Sequence, residues 1–355
     1  MTRRHRDQRG IVLPLVLIIG LLLSASIFTF TRRSLIDGMI VRNRDKAAAA
    51  EALASGGVQI AIAIVFQDQY LKLLEAFSEG TRAGAKLTDQ WARVANSPLY
   101  VGTEGKLTLR IEDAGARLNL NALVPTGVTE AEAAASDEAE EFMVAFMEKI
   151  LDELELKTEE RIYDPREMAQ NLLDYIDEDD VAINGRSEDE YYRNQDPPYT
   201  AANRPLLSVE EIAMIEGFDT QIADAMRPYV TVHPLLGEQG INVNTAPPHV
   251  LSVVYSGSSG DRQLSDEDIV RDIMQVREQE KIVCSQTESA PDICVGLSEA
   301  GLGFGGMYPE VDLPMEATVF LITSEARFGD VVRRVEAVVD ISERETPRLL
   351  SWRAL

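Results

Sequence analysis

The sequence predicts an α+β fold, in which a long amino-terminal helix packs on an antiparallel sheet and a large α-helical insertion interrupts that sheet. Three observations predict this fold. An apolar span near the amino terminus runs into a long helical pattern without a break. Stretches with the two-residue alternation of strands occur before residue 124 and again after residue 236. The residues between these stretches have an almost wholly helical pattern.

The first element is an apolar span that is long enough to cross a membrane. No charged residue occurs from Gly10 to Thr31, and about 20 apolar residues span a bilayer as a helix. Residues 2–9 carry four arginines and one aspartate, and basic residues on the amino-terminal side of a span keep that end in the cytoplasm. We therefore expect a single-pass protein with its bulk outside the cytoplasm.

The apolar span continues into a long amphipathic helix. No proline occurs between Pro14 and Pro98, and the pair Gly56–Gly57 is the one weak point, since glycine costs about 1 kcal/mol in a helix. A cleaved secretory signal, the alternative, is more often followed by a loop. The apolar residues recur at threes, fours and fives, as one helical stripe does: Ile36, Ile40, Ala47, Ala50, Leu53, Val58, Ile62 and Val65.

The first strands and the helical block follow this helix. Residues 106–123 alternate, turn at the sequence AGA and resume the alternation. From Thr126 to about Thr231 the pattern is helical, and Ser208 with Glu211 three residues later forms a capping-box pattern that begins a helix.

After His233 the pattern returns to strands. The stretch GINVNTAPPHVLSVV repeats the short β phrase of RLNLNAL, and a helix is expected in DEDIVRDIMQVREQE. ATVFLITSEARFG and VVRRVEAVVDIS alternate and are joined by the tight turn FGD, which predicts a β-hairpin.

Two cysteines, Cys284 and Cys294, lie ten residues apart. In an exported protein such a pair favours a disulfide. Two free buried thiols are the alternative, and a zinc site built on the two cysteines lacks nearby histidines.

The sequence lacks the usual catalytic motifs and favours a protein that is not an enzyme. It contains three histidines and no HExxH, GxSxG, P-loop or CxxC motif. Two stretches resemble helix-hairpin-helix units, which bind DNA phosphates: IAMIEGFDTQIADAM and the stretch from Asn242 to Arg277. Their turns are rich in acids and the formal net charge is −25, so we expect no nucleic acid.

Two acidic regions are candidates for cation binding. The first contains Asp174, Asp177, Asp179 and Asp180 near Gly185, but its spacing does not match an EF-hand, and a hydrogen-bonded turn is the alternative. The second surrounds the cysteine pair, where a disulfide could order oxygen ligands for Ca²⁺, against a solvated acidic loop. Its candidate ligands are Glu288, Asp292, Glu299 and Asp312.

The leader RG-IVLPLVLIIG resembles the type III signal of pilins and pseudopilins. Most such proteins have Glu at the fifth mature position, where this sequence has Leu15, and that absence marks the type II secretion system protein K class of minor pseudopilins. Further stretches resemble that class in the same order along nearly the whole chain: RLNLNAL, NLLDYIDEDD with EDEYY, PLLSVEEIAMIEGF, INVNTAPPHVL, VFLITSEARFG and RRVEAVVDI.

The resemblance implies a pilin-like fold, processing and partners. A prepilin peptidase would cut between Gly10 and Ile11 and methylate Ile11. The protein would lie in the bacterial inner membrane, with its amino terminus cytoplasmic and its bulk periplasmic. It would later occupy the tip of a pseudopilus and take part in protein transport. The implied partners are minor pseudopilins I and J, the major pseudopilin and the inner-membrane assembly platform, without a small-molecule substrate, and calcium is a feature of the family. The alternative function is a minor pilin of a type IV pilus or DNA-uptake machine.

These inferences divide the chain into five parts. They are a cytoplasmic leader peptide (1–10), the transmembrane part of the amino-terminal helix (11–31), the periplasmic helix with the first strands of the pilin-like domain (32–124), and an α-helical insertion domain (125–235). The fifth part is the remainder of the pilin-like domain, with the helix-hairpin-helix-like segment and the carboxy-terminal β-hairpin (236–355).

Overall fold

The computed structural model describes the chain in ten stretches: residues 12–79, 91, 98–124, 133–154, 163–178, 181–235, 239–287, 292–303, 305–343 and 346–355. In chain order the described helices are α1 (Val12–Glu79), α2 (Ala133–Glu153), α3 (Pro165–Ile176), α4 (Asp189–Arg193), α5 (Thr220–Met226), α6 (Pro248–Leu251) and α7 (Glu267–Glu278). Short 3-10 helices cover Ala114–Ala116, Leu120–Leu123 and Val209–Met214.

The described strands are short except in one sheet. In chain order they are β1 (Leu99–Val101), β2 (Gly105–Asp113), β3 (Leu118–Asn119), β4 (Val230–Thr231), β5 (Tyr255–Ser256), β6 (Gln263–Leu264), β7 (Ile282–Cys284), β8 (Cys294–Gly296), β9 (Met307–Tyr308), β10 (Val319–Phe328), β11 (Val331–Asp340) and β12 (Arg348–Ala354). The large sheet has the order β1-β2-β10-β11-β12 and is antiparallel throughout. The pairs β3–β4 and β7–β8 are parallel, and β6-β5-β9 form a small antiparallel sheet.

The predicted long helix is confirmed, because α1 runs without a break from Val12 to Glu79. Its side chains are exposed from Leu13 to Asp45. Beyond that point one stripe of the helix is buried against β2, β10 and β11. The stripe consists of Ala50, Ala54, Val58, Ala61 and Val65.

The helix and the sheet come into close contact at Gly57. A Cβ atom at this position would lie 2.2 Å from Ser324 Oγ and 2.8 Å from Leu107 Cδ1. The neighbouring Gly56 has no atom within 4 Å of the equivalent position. The small residues of the stripe and Gly57 therefore allow the helix axis to approach the sheet. We call α1 from Ala50 onward, together with the five-stranded sheet, the body.

Alternating residues of the long strands form the core of the body. Leu107, Leu109 and Ile111 of β2 face the helix, and their partners in register on β10 include Ile322 and Ala326. The predicted hairpin is confirmed: β10 and β11 pair from Val319–Asp340 to Phe328–Val331. The turn between them contains Gly329 in the left-handed region, at φ +61°.

A second and larger hydrophobic core lies outside the sheet. It extends along the chain from Ala116 to Leu313, and we call residues 116–313 the head. Phe142 of α2 stacks on Tyr255 of β5 with ring centroids 5.0 Å apart. The helices of the expected insertion and the segments after residue 241 therefore share one core. The physical reason is that residues from both parts of the chain cover the apolar face of α2. The residues before and after the predicted domain boundary at residue 235 therefore belong to the same core.

The expected strand in GINVNTAPPHVLSVV is wrong. Residues 243–245 form a turn in an otherwise irregular segment, and the short helix α6 follows. Asn242 and Asn244 bond through their side chains to other segments and to their own backbone, and such bonding competes with a strand ladder. The capping residues predicted at Ser208 and Glu211 do cap: Ser208 Oγ accepts from Glu210 N at 3.1 Å, and Glu211 accepts from Leu207 N at 2.9 Å. The helix that they begin is 3-10 rather than α.

The head emerges from the end of the sheet that is remote from the apolar part of α1. At the near end, Lys46 lies against the β10–β11 turn, because a Cβ atom at Gly329 would be 2.7 Å from Lys46 Nζ. From this turn the strands run along α1, past the contact of Gly57 with Ser324. At the far end β2 stops at Asp113 and leads directly into the head.

Candidate assembly surfaces

The exposed apolar part of α1 is the first candidate surface. The segment is long and apolar enough to cross a membrane, and none of its most apolar window is buried within the described structure. Leu15, the residue that stands where most pilins have Glu, is 53% exposed. Gly10 and Ile11, the predicted processing site, lie outside the described residues. One exposed apolar helix of this length is compatible with a single-pass anchor.

A buried polar joint connects the body to the head. Asp113, at the end of β2, accepts hydrogen bonds from Gly115 N at 2.9 Å, Asn242 Nδ2 at 3.0 Å and Thr245 Oγ1 at 2.7 Å. Asn242 is fully buried, and its backbone N–H donates to Gly115 O at 2.7 Å. These bonds satisfy a buried carboxylate, and they hold the body strand against a segment more than 100 residues further along the chain.

Two more buried asparagines connect segments inside the head. Asn121 donates from Nδ2 to the carbonyl groups of Leu206 and Val232, at 3.0 and 2.8 Å, and accepts from Leu206 N at 2.7 Å. Asn119 donates to Pro234 O at 2.9 Å. The phrase RLNLNAL therefore supplies crosslinks between loops in addition to the two residues of β3.

A chain of charged groups crosses the surface between body and head. Arg117 pairs with Glu112 of β2 at 2.7 Å and donates to Arg227 O at 3.2 Å. Arg227 pairs with Glu210 at 2.8 Å, and Arg353 of β12 pairs with the same carboxylate. Burial opposes ionisation, but hydrogen bonds from Ser208 and Arg227 outweigh it and lower the pKa of Glu210 to about 2. The carboxylate thus stays charged and connects the last strand to the head.

The disulfide region holds most of the predicted calcium ligands. Cys284 and Cys294 are joined by a disulfide with Cα atoms 5.5 Å apart, which connects β7 to β8. Ser285 Oγ accepts from Leu313 N at 2.9 Å, so the segment carrying Asp312 is bound to the end of β7. Asp292, Glu299 and Asp312 are exposed, and Glu288 lies outside the described residues.

The described residues contain no group of three or more His, Cys, Asp or Glu side chains that could hold a metal ion. Asp292, Glu299 and Asp312 are therefore not brought together as a ligand set. The calcium site with Glu288, Asp292, Glu299 and Asp312 as candidate ligands stays a prediction, because Glu288, in the loop closed by the disulfide, lies outside the described residues.

The other acidic stretch contains a hydrogen-bonded turn. Asp174 is buried, and both oxygens of its carboxylate accept from Ile183 N, at 3.0 and 3.1 Å. Asp179 and Asp180 lie outside the described residues. The geometry of Asp174 favours the structural alternative over a cation site.

The two hairpin-like stretches use their polar groups within the protein. Asp219 caps α5 by accepting from Ile222 N at 3.0 Å, and Asp266 caps α7 by accepting from Ile269 N at 2.9 Å. Arg277, the cation at the end of the second stretch, donates to the carbonyl groups of Ala246 and Val243. Burial lowers the pKa of Arg277 to about 10. A guanidinium used in this way is not presented to a phosphate backbone.

Part of the head matches a known protein family, and the overall fold is similar to that of a solved structure. Residues 116–235, which begin where the head core begins, match the family model described as "Type II secretion system (T2SS), protein K". Type II secretion system protein K of Pseudomonas aeruginosa is 26% identical over 328 residues, which cover 92% of this chain and 86% of that protein. The protein of the same name from Klebsiella pneumoniae is 26% identical over 246 residues, covering 69% and 68%.

A third relative, type II secretion system protein K of Aeromonas hydrophila, is 28% identical over 173 residues, so the match spans about half the length of that protein, 49%, and 48% of this chain. A chain in the crystal structure of the GspK-GspI-GspJ complex from the type 2 secretion system of enterotoxigenic Escherichia coli has a similar fold. Its TM-score is 0.55 at 17% identity, with 89% of this chain and 99% of that chain covered. The alternative of a DNA-contacting minor pilin is not favoured by these similarities.

The sequence patterns do not predict the long-range hydrogen bonds of the asparagines in the head and in the polar joint. RLNLNAL and INVNTAPP were interpreted as strand phrases, whereas the side chains of Asn121 and Asn242 connect distant segments. The available signal was the asparagine itself, which is disfavoured in strands and occurs twice, two residues apart, in each phrase.

Proposed function

Because the chain belongs to the type II secretion system protein K family of minor pseudopilins, we propose that it occupies the tip of a periplasmic pseudopilus and begins or caps its assembly. Through the pseudopilus it would support protein export across the outer membrane. The position of the head is the observation that supports this proposal most directly.

The head is placed where it would block the addition of a further subunit. α1 and the sheet form a pilin-like body, and the head leaves that body at the end remote from the apolar segment. Among the described residues its core is larger than that of the body, with 44 buried hydrophobic residues against 15. Since subunits enter a membrane-anchored fibre from the membrane side, a bulky head at the other end leaves room for subunits only beneath it.

Leu15 supports the same position. In ordinary subunits the carboxylate at the fifth mature position can pair with the charged amino terminus of a neighbour. An exposed leucine cannot accept such a pair. A subunit without that carboxylate is suited to enter first, before a neighbour is present above it.

The proposed partners are minor pseudopilins I and J, as in the GspK-GspI-GspJ complex of the structural relative. We further propose that a prepilin peptidase cuts between Gly10 and Ile11 and methylates Ile11. The proposal also includes insertion in the inner membrane with the body and head in the periplasm, and contact with the major pseudopilin and the assembly platform. Calcium binding near the disulfide is part of the same proposal.

Secretion by a deletion strain tests the function. Deletion of the gene should abolish export of the pathway's exoproteins, and a plasmid copy of the full chain should restore it. Normal export by the deletion strain would contradict the proposal. Export restored equally well by a chain lacking residues 116–313 would contradict the role of the head.

Labelling of assembled fibres tests the position. An epitope in the exposed turn at Asn184 of the head should be found at fibre ends only, whereas an epitope on the major pseudopilin should be found along the length. Head label distributed along the fibres would contradict a tip position even if secretion requires the protein.

A further inference from the structure

A stretch of α1 between the apolar span and the sheet carries a surface that the proposed function does not use. We call residues 32–45 the neck. The uncharged span ends at Thr31, and the sheet begins at the level of Lys46, which lies against the turn at Gly329. Every residue of the neck is exposed. At 1.5 Å per residue the neck is about 20 Å long.

One face of the neck is apolar. Leu35, Ile36, Met39 and Ile40 are 63%, 46%, 62% and 45% exposed, and their spacing places them on one side of the helix. Ile36 precedes Ala54 by about five helical turns, and Ile40 precedes Val58 by the same distance. The apolar face of the neck therefore continues the stripe that is buried against the sheet, but no described residue covers it.

The neck is basic in an acidic protein. It carries Arg32, Arg33, Arg42 and Arg44 against Asp37 and Asp45, whereas the formal net charge of the chain is −25. At 3.6 residues per turn both aspartates point away from the apolar face, and the arginines lie over it or beside it. The result is an apolar face bordered by guanidinium groups, the pattern of a helix segment at a membrane surface.

We propose that the neck binds the anionic phospholipid headgroups of the membrane that α1 leaves, with the apolar face turned toward the lipid. The neck is continuous with the membrane-spanning segment, and the headgroup layer extends beyond the hydrocarbon core by several Å on each side. A tilt of about 20°, usual for such helices, brings one face of the neck nearer to the bilayer. The guanidinium groups of Arg32 and Arg33, directly after the span, can then bind lipid phosphates in a bidentate manner. Arg42 and Arg44, further along the neck, add to the positive charge that attracts anionic lipids.

A second copy of this chain is a poorer occupant of the same face. Two necks side by side would bring the four arginines of one neck close to the four arginines of the other, and each neck has only two aspartates to offset this repulsion. An anionic lipid surface supplies the phosphates that the excess of arginine requires, and it attracts basic residues next to a span. The inference relies on the membrane anchorage in the proposed function but not on the position at the tip.

Quenching of tryptophan fluorescence by brominated lipids tests the inference. Full-length Ile36→Trp protein is reconstituted in phosphatidylcholine vesicles that contain phosphatidylglycerol, with bromine on the acyl chains of one lipid or the other. The signal of the unmutated chain, which contains two tryptophans, is subtracted. We expect about threefold stronger quenching by brominated phosphatidylglycerol at equal mole fraction, because headgroup binding enriches this lipid at the neck.

Two sets of variants separate headgroup binding from general membrane contact. Replacement of the four neck arginines by glutamine should abolish the difference between the lipids. The matched change of Arg333→Gln with Arg334→Gln, two exposed arginines of β11, should retain it. Leu17→Trp, inside the span, should be quenched to a similar degree by both lipids.

Each other result contradicts the inference in a distinct way. Equal quenching of Trp at position 36 by the two lipids, or a difference that survives loss of the neck arginines, would show that the neck does not select anionic headgroups. No quenching at position 36 while position 17 is quenched would place the neck in water, and leave a helix of another subunit as the occupant. No quenching at position 17 would contradict the anchor itself, and with it the membrane part of the proposed function, whereas normal secretion by the deletion strain would leave the lipid result intact.

Discussion

The body and the head obtain their structure from different kinds of contact. In the body, alternating residues of long strands meet one stripe of a long helix, and β2, β10 and β11 each contribute every second residue. In the head, helices of 4 to 21 residues and strands of two or three residues surround a core whose members come from many segments. Buried asparagines hold these segments through bonds to distant carbonyl groups.

The difference shows which contacts local sequence periodicity can specify. A repeat of two residues in a strand, or of three to four in a helix, determines a face over many residues. The longer helices of the head have such a repeat, for example Phe142, Phe146 and Ile150 in α2. The short strands and turns of the head have none, so their arrangement depends on individual side chains that satisfy particular backbone groups. The following variants compare the two regions, from the largest expected effect to the smallest.

Removal of a core aromatic should have the largest effect and reveal whether the two cores unfold together. Phe142→Ala in the head and Phe320→Ala in the body, both fully buried, should each lower the free energy of unfolding by about 4 kcal/mol. Urea unfolding of the detergent-solubilised chain is followed by tryptophan fluorescence and by circular dichroism. Trp91 contacts Phe320 at 5.3 Å and Trp352 belongs to β12, so fluorescence reports on the body.

The polar joint predicts the outcome of that comparison. Because Asp113 and Asn242 connect the cores through buried bonds, Phe142→Ala should shift the fluorescence transition of the body as well. A shift in circular dichroism alone would show that head and body unfold independently.

Replacement of the buried Asn242 of the polar joint by alanine should have the next largest effect. Asn242→Ala removes one of the donors to the buried Asp113 carboxylate and should cost about 2 to 3 kcal/mol, since a hydrogen bond to a charged group contributes about 1.5 to 3 kcal/mol, while Gly115 N and Thr245 Oγ1 still donate to the carboxylate. The same urea unfolding measures it. Asn194→Ala is the matched control, because Asn194 is exposed and donates to Glu190 O at 2.7 Å. Equal effects of the two substitutions would mean that the joint contributes no more than a surface bond.

The glycine pair in α1 should give effects of opposite sign. Gly57→Ala places a methyl group 2.2 Å from Ser324 Oγ, and overpacking of this kind costs about 2 kcal/mol. Gly56→Ala meets no atom within 4 Å and should stabilise the chain by about 0.5 to 1 kcal/mol, because alanine is the better helix former. Thermal unfolding of the two variants measures both. A stabilising Gly57→Ala would show that helix and sheet are further apart than described.

The ion pair between β12 and the head should have the smallest effect, and it depends on pH. The pKa of Glu210 is depressed from 4.5 to about 2, so its contribution to stability is present above about pH 4.5 and is lost as the pH falls toward 2. The carboxylate is 43% exposed, so solvent screening limits the effect to under about 1 kcal/mol. Glu210→Gln should reduce the loss of stability between these pH values.

Glu336→Gln is the control for that measurement. Glu336 lies on β11 of the sheet, and its carboxylate is 3.9 Å from the guanidinium group of Arg334. If this substitution changes the pH dependence as much as Glu210→Gln does, the contact of Arg353 with Glu210 is an ordinary surface pair.

The sequence predicts the long helices and strands that have a regular apolar period, but it does not predict the short irregular segments. The helix from Val12 to Glu79 and the hairpin of β10 and β11 follow from their apolar patterns. The segment at Asn242 was interpreted as a strand because its apolar residues alternate, yet its asparagines bond elsewhere. The candidate calcium residues Glu288, Asp292, Glu299 and Asp312 are acidic and close to the cysteines in the sequence. Acidity alone does not determine whether their side chains converge, so this site stays a prediction.

By itself the sequence determined the apolar span, the long helix, the antiparallel hairpin and the family resemblance, because each depends on composition or on a repeat between near neighbours in the chain. Only the tertiary structure decided that the regions before and after residue 235 share one head core, that Gly57 is a contact point, and that Asp113 meets Asn242. The physical reason is distance along the chain: these contacts join segments separated by many residues, and single side chains, without a repeat, specify them.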